Sequence, residues 1–238
     1  MTNFINGTAA LTWITSFSER FDSTQAYLTE LDRLAGDGDF GVNIASALER
    51  TRAGLPPATE ATFTTVFQAA SRGFLATGGT SGPLFGMWFR DIAKGTKNDA
   101  AAVTDIAQGI AAGLSTIQKL GGARVGDNTM IDALEPASAA LTAAAERGSM
   151  PGEALLEAAL AARAGAESTA DLIAARGRAT YVGELARGVL DPGAVTIALF
   201  FEAGADTVGA GGGPPANHRR DDARGMSPEL TAARSCDS

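Results

Sequence analysis

"LDRLAGDGDFGVN", residues 31–43, places Asp32, Asp37 and Asp39 among Gly36, Gly38 and Gly41. A periodic apolar segment ends in this stretch and another begins. Like charges so close together repel, so the sequence calls for a solvated turn, a helix cap or a cation held between the carboxylates. It is not an EF-hand loop. Gly41 stands where that loop needs its third acidic ligand, and no glutamate follows at the right distance.

Outward from this stretch the chain reads as helical. Alanine and leucine dominate and alternating β-branched runs are scarce. Apolar periodicity predicts helices near 8–21, 22–33, 41–53, 60–77, 82–94, 100–119, 129–147, 151–174 and 193–204. Their connections, such as "AGLPPAT", "KGTKN" and "RGSMPG", are short and rich in glycine or proline, which makes consecutive helices antiparallel neighbours. The expected fold is all-α, an antiparallel up-and-down arrangement of about eight helices. Residues 1–204 form the expected domain. From 205 to 238, glycine and proline replace the periodic apolars, and a disordered tail is expected.

The bulk composition narrows the functions. A chain of 238 residues with a net charge of −8 can bury a sizeable core but is a poor non-specific partner for nucleic acid or an anionic membrane. The only cysteine, Cys236, rules out an internal disulfide. No apolar run approaches the roughly 18 residues of a membrane span, and no signal-peptide pattern opens the chain. A soluble, cytoplasmic protein is expected.

The helix starts carry the chemistry. The helices near 41, 82, 129 and 193 follow "GDGDFG", "TGGTSGP", "GGARVGDNT" and "DPG". Ser81, Asp127 or Asn128, and Asp191 are the candidate caps. In an up-and-down array these alternate helices begin at one end, so their N-termini converge on one face. Free backbone amides and helix dipoles there suit a phosphate. The three aspartates on the same rim would repel that phosphate unless a hard cation bridges them, which points to Mg²⁺. Three aspartates and a nucleoside diphosphate carry about −6, which two Mg²⁺ and an arginine nearly balance.

Together "LDRLAGDGDFGVN", "GGTSGPLFG", "GGARVGDNTMIDALEPA" and "GRATYVGELARGVLDPGA" resemble the nucleotide-binding L subunit (DhaL) of dihydroxyacetone kinase, in the family's order, over about residues 8–204. The resemblance implies a helical barrel with the nucleotide at one end. It implies that Asp32, Asp37 and Asp39 ligate two Mg²⁺ and that, with Arg178, they form the catalytic set. It further implies ADP or ATP contacts from Phe40, Gly41, Val42, Asn43, Thr80, Ser81, Gly122, Met130, Arg178, Asp191, Pro192 and Gly193. Phe40 stands where the family usually has histidine, and Asn128 where it commonly has lysine.

The resemblance also implies partners: a K subunit that holds dihydroxyacetone and a multiphosphoryl phosphocarrier of the M type that recharges the nucleotide. A homodimer is an open alternative. The only histidine, His218, lies in the expected tail, so neither a phosphohistidine nor a ketone-binding histidine is expected in the domain. Two other readings stand beside this one: a kinase subunit for another ketose, and a regulatory module that reports nucleotide state.

Overall fold

The computed structural model describes residues 3–173 and 187–209. Eight α-helices are present among these: α1 (Gly7–Ala35), α2 (Phe40–Gly54), α3 (Phe63–Leu75), α4 (Ser81–Ala93), α5 (Val103–Gly121), α6 (Ile131–Arg147), α7 (Pro151–Ser168) and α8 (Pro192–Gly209). Each packs on the next in sequence, and α8 packs back on α1, so the helices close into a ring. The expected all-α, up-and-down arrangement is borne out.

Two expected helices, 8–21 and 22–33, are one. Asn6 caps α1 by accepting from the Ala9 amide at 2.9 Å, and the helix then runs for 29 residues. Ser23 and Thr24, just past the expected boundary, turn their hydroxyls back onto the Arg20 carbonyl at 2.8 and 2.6 Å and leave the backbone helical. Other ends shift by a few residues. Helix α3 begins at Phe63 rather than 60, because Thr62 and Thr65 form a reciprocal capping box. Helix α7 stops at Ser168 and passes into a single 3-10 turn, Thr169–Asp171. Helix α8 runs on to Gly209, beyond the expected end at 204. A feature with no signal in the sequence is a two-residue antiparallel pairing of β1 (Phe4–Ile5) with β2 (Ala101–Ala102), too short for an alternating pattern to register.

The ring is filled rather than hollow. From Pro192 to Ala205, α8 buries every residue except Glu202, as a helix that is apolar all round must. Phe200 packs against Trp13, Phe17, Phe67, Trp88 and Phe89 from α1, α3 and α4, with ring centroids 4.7–6.3 Å apart. The Trp13 indole also donates to the Phe200 carbonyl at 2.8 Å, which ties α1 to α8. No described helix is long and apolar enough to cross a membrane.

Trp13→Ala removes the largest group at this closure together with its hydrogen bond. The expected loss is about 3–5 kcal/mol of stability, read as a lower urea midpoint with an unchanged slope.

Candidate functional site

Asp32 lies in the last turn of α1, and its Oδ2 accepts from the Phe40 amide at 2.9 Å. That bond joins the end of one helix to the start of the next across residues 36–39. Gly38 makes the reversal possible with a φ of +77°, where a side chain is strained. Gly41 permits the close approach of α2: a Cβ there would lie 2.0 Å from Thr29 Oγ1 on α1. Asp39 takes the N-cap position of α2 without forming a side-chain cap. The turn gathers the three carboxylates on one rim, with Asp32 also holding the first amide of α2. Oxygens of Asp32, Asp37 and Asp39 all lie within 4.8 Å of one another. Three hard anionic oxygen donors at this spacing fit Mg²⁺, which takes one or two carboxylates per ion and completes its shell with water and phosphate.

Three other helix starts face the same cleft. At α4 the N-cap is Thr80, without a side-chain cap, and Ser81 is the first helical residue. The expected cap therefore moves back by one position, after a turn made at Gly79 with a φ of +79°. Nor does Asp127 or Asn128 cap α6. Asp132, inside the helix, organises the loop by accepting from the amides of Gly126 at 2.5 Å and Thr129 at 2.8 Å. Asp127 instead accepts from the Arg124 amide at 2.9 Å. At α8 the expected cap is present: Asp191 accepts from the Ala194 amide at 2.7 Å, with Pro192 opening the helix. The Asp191 amide in turn donates to Thr169 Oγ1 at 3.0 Å.

The cleft measures about 460 Å³, within the range of small-ligand sites. Asp32, Asp37, Asp39, Phe40, Asn43, Thr80, Ser81, Met130, Asp191, Pro192 and Gly193 all border it. Three expected contacts do not border it. Gly41 is buried against α1, Val42 is 60% exposed, and Gly122 is the left-handed end of α5. The Asn43 amide already donates to the Asp39 carbonyl, so its side chain is the group that reaches the cleft. Phe40 is buried in the core and forms wall rather than lid. Arg178, His218 and Cys236 lie outside the described residues. Unforeseen lining comes from Leu84, Phe85, Ile117, Thr129, Val189 and Leu190, while Asn128, named in the sequence as a candidate cap, borders the cleft as well. Of the unforeseen residues only Thr129 had a visible signal, as a polar residue just before Met130 in a glycine-bordered loop.

Asp191 is the perturbed acid of the site. Although the residue keeps some contact with solvent, its carboxyl sits among protein atoms at the cleft floor, and this desolvation raises its pKa to about 7. The nearby Asp132 and Asp32 charges push in the same direction, against the Ala194 amide, which favours the ionised form.

Comparison with known proteins agrees with this geometry. The DAK2 domain family matches residues 34–206. The chain belongs to the DAK2-domain family. The ADP-binding subunit DhaL of PEP-dependent dihydroxyacetone kinase 1 from Listeria innocua is 36% identical over 82% of this chain and 93% of its own length. An L-erythrulose 1-kinase from Mycolicibacterium smegmatis is 37% identical over 79% of this chain, which corresponds to 33% of that longer protein. A crystal structure of the C. freundii dihydroxyacetone kinase with AMP-PNP and Mg²⁺ covers 84% of this chain and 33% of its own, at a TM-score of 0.62 and 29% identity. The resemblance to the L subunit is thus borne out, and this DAK2-domain chain belongs with the phosphoryl-transferring kinase subunits.

Asp191 gives the DAK2 domain a pH signature. Between roughly pH 4 and about 7 its carboxyl is neutral when folded and ionised when unfolded. Unfolding therefore releases a proton, and the stability held by this group falls as pH rises across that window. Asn also caps well, so Asp191→Asn should keep α8 intact, flatten this slope and raise the metal-free midpoint at pH 8. Urea titrations in EDTA at pH 5 and pH 8 check it, and equal slopes in both proteins would refute the assignment.

Proposed function

We propose that this chain is the ADP- or ATP-binding L subunit of a dihydroxyacetone kinase. It would pass a phosphoryl group from a Mg-bound nucleotide to dihydroxyacetone held on a separate K subunit. A multiphosphoryl phosphocarrier of the M type would recharge the nucleotide, in the cytoplasm. The observation that carries this reading is the cluster of Asp32, Asp37 and Asp39, beside convergent helix starts, at the mouth of a cleft of nucleotide size. Residues 1–204, extended by the end of α8 at Gly209, would be the working domain, and the rest of 205–238 an appended tail.

The chain's own groups supply position and charge. Asp32, Asp37 and Asp39 would hold two Mg²⁺, which when bound neutralise charge on the transferred phosphoryl group. The starts of α2, α4 and α8 would turn backbone amides toward the phosphates. Arg178 would fork onto a phosphate oxygen. Met130, with Ile117, Leu84 and Leu190, offers an apolar wall on which a base can lie.

Two features favour a partner at the mouth. Among the described residues bordering the cleft there is no histidine, lysine or cysteine to take up a ketone. Around the same end Leu34, Val42, Leu75, Leu120 and Val125 are exposed, at 43–61%. They stand at the ends of α1, α3 and α5, the start of α2 and the α5–α6 loop. An apolar rim of this kind suits a docked protein that closes the site and excludes water. Likeness to the L-erythrulose kinase favours a second reading, in which the acceptor is another ketose.

Asp37→Asn removes one charge from the cluster. The expected outcome is a loss of Mg-ADP affinity of at least about tenfold by calorimetry, with folding unchanged. Full nucleotide occupancy in the purified variant would overturn the metal assignment.

Component omission tests the reaction. With Mg-ATP and dihydroxyacetone this chain alone should give almost no product, since positioning supplies much of the rate. Adding the K subunit should yield one phosphoryl transfer per bound nucleotide, and sustained turnover should need the phosphocarrier. Erythrulose in place of dihydroxyacetone separates the two acceptor readings. Multiple turnover by the isolated chain would refute the subunit assignment.

A further inference from the structure

Asn128 stands two residues before Met130 on the α5–α6 loop and borders the cleft. It is 6% exposed, and its Oδ1 is buried with no hydrogen-bond partner. Among the described residues, no hydrogen bond fixes the carboxamide, so it can turn without breaking one. Its φ of +58° is the only left-handed value at a described non-glycine residue, and asparagine tolerates that region better than most side chains. Buried acceptors are nearly always satisfied in a working protein. Because the residue lines the cleft, a turn of its carboxamide brings Oδ1 to a donor bound there.

The chemistry of that donor is narrow. Phosphate oxygens only accept, so an orphan acceptor gains nothing from them. The clustered carboxylates that suit cations lie at the α1–α2 turn, whereas α6 packs chiefly on α5, α7 and α8. On this side of the cleft Ile117, Ala123, Met130 and Ile131 are apolar. A flat nucleobase suits such a surface, and a nucleoside carries the missing donors on its exocyclic amino group and its ribose hydroxyls.

We propose that Asn128 binds the nucleoside half of the nucleotide, its carboxamide oxygen accepting a hydrogen bond from the base amino group or a ribose hydroxyl. This rests on the nucleotide-binding function proposed above. The residue then contributes to the choice of nucleotide and leaves the hold on phosphate unchanged.

The test is calorimetry on the full chain and on Asn128→Gly, a replacement that accepts the left-handed φ and lacks the amide. Four probes are used: Mg-ADP, Mg-IDP, Mg-2′-deoxy-ADP and Mg-pyrophosphate. The variant should bind Mg-ADP about five- to tenfold more weakly, the usual worth of one hydrogen bond, and Mg-pyrophosphate equally well. In the unmodified chain, one analogue should lose the same factor, and the variant should not discriminate against it. Loss with Mg-IDP names the base amino group, and loss with 2′-deoxy-ADP the ribose. Equal weakening on Mg-pyrophosphate would place Asn128 at the phosphate and metal end and overturn the inference, as would unchanged Mg-ADP affinity in a folded variant. If the unmodified chain binds Mg-pyrophosphate and Mg-ADP not at all, the nucleotide reading itself fails.

Discussion

One carboxylate sets the terms for the rest of the site. Asp32 accepts from the Phe40 amide and thereby fixes where α1 ends and α2 begins. That places Asp37 and Asp39 on a turn too tight to separate them. The charges would drive such a turn apart if electrostatics alone acted. Packing holds it instead, through Gly41 against Thr29 and Phe40 in the core. The apolar interior thus stabilises a turn that gathers like charges.

The ring of helices does the same on a larger scale. Even-numbered helices all start at one end, a consequence of short connections between antiparallel neighbours. Four N-termini and their partial positive charges meet there as a result of topology alone. What the local sequence selects is the detail: Asp191 as cap, Thr80 left uncapped, and Asp132 as an internal tie for the loop before α6. The opposite end carries the small β1–β2 pairing, which anchors the entry to α1 beside the entry to α5.

Much of this was legible in the sequence, because period and punctuation act locally. Helix identity, the shared face of the glycine-rich starts and the aspartate cluster all follow from residue type and spacing. Errors fell where side chains compete for backbone groups. Ser23 and Thr24 could have ended a helix or bonded within it, and only packing around Phe21 and Leu28 decides for the second. Ser81 and Asp127 looked like caps, yet their neighbours' backbone angles put them elsewhere. The apolar wall was invisible, since Ile117, Leu84 and Val189 read as ordinary helix or loop residues until three segments come together.

Closure of α8 on α1 has a consequence for how the molecule forms. The other main helix–helix contacts join elements one or two apart in sequence and can be made as the chain lengthens, at little entropic cost. The α1–α8 contact spans nearly the whole domain, as the Trp13–Phe200 bond illustrates. Helix α8 also brings Asp191, Pro192 and Gly193, one wall of the cleft. A growing chain can therefore gather its aspartates early, but it has no complete cleft to fill until α8 seats. Order of synthesis and readiness to bind are joined in a single late step.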